Sequence, residues 1–223
     1  MDIAKNILEI KSQLPEDVKL VAVSKTKPNE DILVAYEAGQ RIFGENKVQD
    51  LTKKFEELPR DIEWHFIGHP QSNKVKYIAP FVSLIHGVDS LKLLSVINKE
   101  GEKNQRVIRC LLQFHIAEES TKFGLDEQEA DVLLQSEEYQ SFQHVEIVGV
   151  MGMATYTDDE DQIRNEFKNL HQIFTSLKNK YFLNWESFKE ISMGMSDDYP
   201  IAVEEGSTLI RVGSKIFGAR DAH

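Results

Sequence analysis

Val18-Lys19-Leu20-Val21-Ala22-Val23-Ser24-Lys25 is the stretch that decides the fold: an apolar run with valines at 18, 21 and 23 ends abruptly on a lysine. A near-continuous apolar run of this length is how a parallel strand covered on both faces reads. The Thr26-Lys27-Pro28-Asn29 segment then stops it, because Pro28 can open a helix but cannot donate to a strand ladder. A buried strand of this kind delivers one amine, Lys25, to its own C-terminal mouth. Taken alone, such a lysine commonly marks only the point where a strand meets water. The rest of the chain decides whether it carries chemistry.

Outward from that strand, short apolar runs alternate with helical patterns eight times. The first helix runs Glu30–Ala38 and is closed by Gly39; RIFGE (41–45) then precedes a helix near Val48–Leu58. IEWHFIG (62–68) is followed by a helix after Pro70, and SLIHGV (83–88) by LKLLSVINK, capped by Ser90. RVIRCLLQFHI (106–116) leads to a helix from the cap Asp126 to about Gln135. VEIVGVMGM (145–153) is followed by the polar loop TYTDDED and the periodic segment Ile163–Leu177. FKEISMGM (188–195) precedes a helix Ser196–Glu205 ended by Gly206, and STLIRVGSKIFG (207–218) comes last. Strand and helix alternating in this way require crossover connections, hence a parallel sheet. Eight βα units favour a closed (β/α)8 barrel of the TIM type over an open doubly wound sheet. No helix is expected after the eighth strand, and the leading helix Asp2–Leu14 is available to cover that side.

The 223 residues are 41% hydrophobic and 28% charged, enough for one sizeable core, so one domain over 1–223 is expected. A net charge of -11 and a pI near 5.1 argue against a nucleic-acid binder and against an anionic membrane surface. Small molecules or proteins are the expected partners. The single Cys110 lies in an apolar run and reads as a small buried hydrophobe. The amphipathic, charged N-terminus and the lack of any long apolar stretch point to a cytoplasmic protein without a membrane span.

In a barrel the chemistry sits at the C-terminal ends of the strands. Those ends are Lys25, Glu45-Asn46, His65, Gly68-His69, His115, the run Ser192-Met193-Gly194-Met195-Ser196, and Arg211-Val212-Gly213-Ser214. Loops seven and eight are where such barrels hold a phosphate on backbone N–H groups. Singly, Ser196 reads as a helix N-cap and Gly213 as a turn; on adjacent strands, Gly194, Ser196, Gly213 and Ser214 together read as an anion cradle. An amine facing that cradle suits either a Schiff-base phosphosugar aldolase or a pyridoxal 5′-phosphate (PLP) site. An aldolase needs carboxylates and a second lysine deep in the barrel, whereas the inner ends here offer mainly apolar and amide groups. Strand alternation points Arg211 to the same side as Gly213, where a guanidinium can face a pyridine nitrogen and keep it unprotonated. The histidines lack metal-ligand spacing, so no metal site is expected.

The set VAVSKTKP, FGEN, WHFIGHPQSNK, LLQFHI, VGVMGM, SMGMSDD and RVGSKIFGARD resembles the pyridoxal-phosphate homeostasis protein family, related to the N-terminal barrel of alanine racemases. The resemblance spans nearly the whole chain. It implies a barrel that binds PLP covalently, helps balance vitamin B6 and amino-acid pools, and has no established catalytic reaction. Lys25 then resembles the Schiff-base lysine, Ser196, Gly213 and Ser214 the phosphate ligands, and Arg211 the arginine at the pyridine nitrogen. Asn46, His65 and Met195 resemble pocket-lining residues. PLP-dependent apo-enzymes are the implied recipients, with the protein itself a monomer or weak dimer. Pro70 departs from the family's pattern, which carries an apolar Leu or Ile in GHxQSNK.

The alternative is a PLP-dependent amino-acid racemase or related enzyme. Racemisation needs proton-transfer groups on both faces of the substrate. In alanine racemases the second is a tyrosine from a separate C-terminal domain, and only three residues follow Arg220 here. An arginine at the pyridine nitrogen also weakens the ring as an electron sink. Tyr156 and Tyr199 are the tyrosines nearest the expected site, and such loop tyrosines are more often packing residues.

Overall fold

The computed structural model describes residues 1–120 and 123–219. Arg220 and Asp221, the end of the RVGSKIFGARD motif, lie outside the described residues. A first helix, α1 (Ile3–Ser12), precedes β1 (Lys19–Val23), which leads through α2 (Asn29–Glu37) to β2 (Ile42–Glu45) and α3 (Val48–Glu57). Then come β3 (Glu63–Phe66), a 3-10 turn (Ser72–Lys74) running into α4 (Val75–Ile78), β4 (Leu84–Val88) and α5 (Leu91–Lys103). The chain continues with β5 (Ile108–Gln113), α6 (Glu127–Gln135), the short α7 (Glu137–Gln140), β6 (Val145–Met151) and α8 (Glu160–Tyr181). It closes with β7 (Glu190–Ser192), α9 (Tyr199–Glu204), β8 (Leu209–Val212) and α10 (Ser214–Phe217).

The eight strands are parallel and form a closed barrel in chain order, so the open-sheet alternative falls away. Closure comes from β1 against β8, where Lys19 sits opposite Leu209 and Val21 opposite Arg211. The strand period of two divides the apolar residues into two cores. Val21, Leu84, Leu111, Val148, Met151 and Leu209 form a smaller cluster inside the barrel, while Leu20 and Ala22 pack outward with the helices in the larger one. This is why the β1 run is apolar on both faces: every residue from Leu20 to Val23 is buried.

Helix boundaries follow side-chain chemistry. Ser90 accepts from the Leu93 N–H, and Asp126 and Glu129 form a reciprocal capping box. Two expectations need correction. A single-turn helix, α10, does follow the eighth strand, and α1 packs on both α2 and α10, with Asn6 Nδ2 donating to the Ile216 carbonyl at 3.0 Å. The helix expected from Ser196 begins at Tyr199, with Pro200 in its first turn fixing a helical φ. The helix expected after Pro70 is α4, entered through the 3-10 turn at Ser72.

Candidate functional site

The C-terminal ends of the strands surround a cavity of about 400 Å³, within the usual size of a small-molecule site. Lys25, Asn46, Met195, Ser196, Arg211, Gly213 and Ser214 all line it, so seven of the eight expected site residues share one wall system. His65, the eighth, is not among the described lining residues.

Loops seven and eight form one side. Gly194 has φ +103°, a left-handed conformation that a side chain would strain, and a Cβ there would also meet the Ala202 Cβ at 2.7 Å. Ser196 does not cap α9; its Oγ accepts from the Gly213 N–H at 3.3 Å and so ties the two loops together. Asp198 turns back to accept from the Met195 N–H at 2.7 Å. Gly213 packs directly on β1, where a Cβ would lie 3.2 Å from the Val23 carbonyl oxygen. The chain turns into α10 at Ser214, and the first N–H groups of that turn have no intrahelical acceptor. Hydroxyls on two adjoining loops and the first amide donors of α10 suit a small dianion.

Arg211 lies deeper than a position at the mouth would suggest. It is only 3% exposed, its Nη2 donates to the Gly152 carbonyl at 3.0 Å, and its buried Nη1 has no hydrogen-bond partner among the described residues. Burial lowers its pKa to about 10, with the nearby Asp198 carboxylate opposing that shift, so it remains a cation at neutral pH. An unsatisfied buried donor on a cavity wall is a feature that a ligand acceptor resolves.

Opposite, His69 shares a 2.8 Å hydrogen bond with Asp89 and stacks on Phe123 with ring centroids 4.5 Å apart. Lys27, Gln113, Phe123, Met151 and Met153 also line the cavity; the strand-end reading did not include them. Gln113, and not His115, is the fifth strand's lining residue. The alternation of Met151 and Met153 was the available signal for the sixth strand.

Two strand-end residues lie off the cavity. Glu45 is fully buried against α3, where its carboxylate meets Lys54 and the Ser24 hydroxyl. His65 lies inside the barrel, sharing a 2.9 Å bond with His86, whose other ring nitrogen is 2.8 Å from Ser192 Oγ. Of the two tyrosines, Tyr156 is 88% exposed and Tyr199 is buried under the α9 turn; neither is among the cavity's lining residues. Among the described residues no group of three or more His, Cys, Asp or Glu side chains is arranged to hold a metal ion, and no helix is long and apolar enough to cross a membrane.

The buried histidines set an acid limit on stability. Desolvation lowers His65 to about 3 and His86 well below its ordinary value, so both stay neutral in the fold while the unfolded chain takes up protons near pH 6.5. Their contribution to stability is therefore complete above pH 6.5 and is lost as the pH falls, for His65 down to about 3, with a limiting slope of roughly 1.4 kcal/mol per pH unit. Urea midpoints between pH 7 and 4.5 should show this slope. A His65→Gln, His86→Gln double variant, although weaker at pH 7, should show a shallower one; an unchanged slope would remove these residues as its source.

Comparison with known proteins places the chain. Residues 2–221 match the family model described as alanine racemase, N-terminal domain. A pyridoxal phosphate homeostasis protein of Aquifex aeolicus is 37% identical over 204 residues, covering 91% of this chain and 87% of the relative. The protein of that name from Pasteurella multocida is 36% identical over 234 residues, covering 99% of each. PipY of Synechococcus elongatus, solved without PLP, superposes with a TM-score of 0.90 at 35% identity, over 97% of this chain and 100% of that one. The same protein with PLP bound gives a TM-score of 0.86 at 34% identity, with the same coverage. The alanine racemase of E. faecalis shares the fold alone, at 15% identity and a TM-score of 0.74 over 98% of this chain and 58% of that one.

Proposed function

The chain belongs to the pyridoxal phosphate homeostasis protein family, and from that premise we propose that it binds PLP in the cavity as a Schiff base on Lys25 and buffers or delivers it to PLP-dependent apo-enzymes in the cytoplasm. The observation that carries the reading is the buried, unsatisfied Arg211 Nη1 on the same cavity as the Lys25 amine and the Ser196–Gly213–Ser214 loops. One cavity thus offers a nucleophilic amine, donors for a dianion and a fixed cation for a ring nitrogen, which are the three functional ends of PLP. A relative solved with PLP bound supports the same ligand.

In this reading Lys25 would supply the amine that holds PLP through its aldehyde. Ser196, Gly213 and Ser214 would hold the phosphate, and Arg211 would serve the pyridine nitrogen and keep it unprotonated. Asn46 and Met195 complete the walls. PLP itself supplies a reactive aldehyde and a ring that accepts electrons. Because the Arg211 cation opposes protonation of the ring, these residues favour retention over carbanion chemistry.

Absorbance titration of the purified apo-protein with PLP tests binding; a new band near the visible edge that saturates at one equivalent is expected. Mixing the loaded protein with an apo-enzyme and an aldehyde scavenger tests delivery. Direct transfer reactivates the enzyme despite the scavenger, whereas reactivation abolished by the scavenger would reduce the role to storage.

A further inference from the structure

Behind the mouth of β1, on the side facing α3, three side chains close on one another. Lys54 Nζ, on α3, donates to the two Glu45 carboxylate oxygens at 2.9 and 3.0 Å, and the Ser24 hydroxyl donates to the same carboxylate. The ammonium also donates to the Ser24 carbonyl at 2.9 Å. That carbonyl belongs to the peptide joining Ser24 to Lys25, and the Ser24 N–H is itself tied to the Gly44 carbonyl at 3.0 Å. A further bond, from the Lys27 N–H to the Ser24 carbonyl at 3.0 Å, closes the turn over Lys25 and Thr26. Within it Thr26 has φ +66°, a left-handed conformation that a β-branched residue adopts only when its surroundings enforce it.

This knot is a weak source of net stability. Glu45 is fully buried and Lys54 is 8% exposed, so the desolvation of both charges offsets their attraction. Burial pushes the Glu45 carboxyl up, and the Lys54 charge only partly opposes it. What the charges do supply is direction: one ammonium fixes the Ser24 carbonyl, and with it the strained turn from which Lys25 enters the cavity.

We infer that Glu45 and Lys54 are positioning residues for Lys25, an ion pair kept behind the strand to fix the amine and not chiefly to stabilise the barrel. The inference rests on the proposed role of Lys25, but part of its test does not need PLP.

The variants are Lys54→Met, the double Glu45→Gln, Lys54→Met, and Ser24→Ala. Three quantities are measured: the apo melting temperature, the rate of PLP loss on dialysis, and the acetylation rate of the Lys25 amine relative to Lys27 in apo-protein, read by peptide mass. Lys54→Met strands a buried carboxylate and should lower the melting temperature by on the order of 10 °C. The double variant should recover most of that loss, because no buried charge is left alone. PLP loss in the double variant should nevertheless stay roughly 10- to 100-fold faster than wild type, the cost of a misplaced reacting group. Ser24→Ala removes no charge and should change the Lys25 labelling rate relative to Lys27, as the double variant should, even if Lys54→Met fails to fold. A double variant that matches wild type in PLP retention and in Lys25 labelling would overturn the inference and leave the pair purely structural. Should wild type itself take up no PLP, the proposed function fails, while the labelling still tests the positioning.

Discussion

Lys25→Ala is expected to abolish covalent capture of PLP at the proposed site: no saturable imine absorbance should form, and the binding that remains should rely on the anion cradle and Arg211. The effect is expected to be all-or-none because one amine supplies the bond. Lys25 is half-buried at the rim of the cavity and not in either apolar core, so the apo melting temperature should stay within about 2–4 °C of wild type. Lys25→Arg is the matching control. It keeps a cation at the position but stays protonated at any accessible pH and cannot add to an aldehyde. If Lys25→Arg retained the imine band, the covalent role would belong to another lysine, and Lys27, which lines the same cavity, would be the first to examine.

The second large effect is at Arg211. Arg211→Met removes a charge-assisted donor whose Nη1 is satisfied by nothing among the described residues, and it leaves an unbranched apolar chain of similar length. PLP should bind roughly 10- to 150-fold more weakly, the equivalent of about 1.5–3 kcal/mol for a hydrogen bond to a charged group. The apo-protein should lose only modest stability, because the buried charge disappears together with its bond to the Gly152 carbonyl and only the nearby Asp198 carboxylate loses a counter-charge. Isothermal titration and apo melting temperatures separate the two outcomes. Unchanged affinity with a large loss of melting temperature would make Arg211 a packing residue of the barrel.

The fold was legible because each barrel strand is an apolar run with its own stop, and the caps at Ser90 and Asp126 sit where their side chains can accept from the next turn. The site was legible where polar residues interrupt apolar strand ends, as at Lys25, Arg211 and the paired loops around Ser196 and Gly213. What the residues alone did not reveal was facing. Adjacent strand residues point to opposite sides, so Asn46 reaches the cavity while Glu45 turns to α3, and a one-residue shift in phase reverses such an assignment. His65 faces inward but lies too deep: it bonds to His86 inside the barrel, and Ile67, two residues on, lines the cavity instead. Ser before a helical pattern usually caps it, but the helix after Ser196 starts three residues later at Tyr199. Phe123 carries no chemical signature, so only the folded loop brings it to the cavity.

Borohydride reduction of the PLP-loaded protein, followed by peptide mapping, probes the imine at its atom. A phosphopyridoxyl mass on the peptide that contains Lys25, and on no other lysine, is the predicted result; an adduct confined to Lys27 or elsewhere, or no adduct at all, would contradict it.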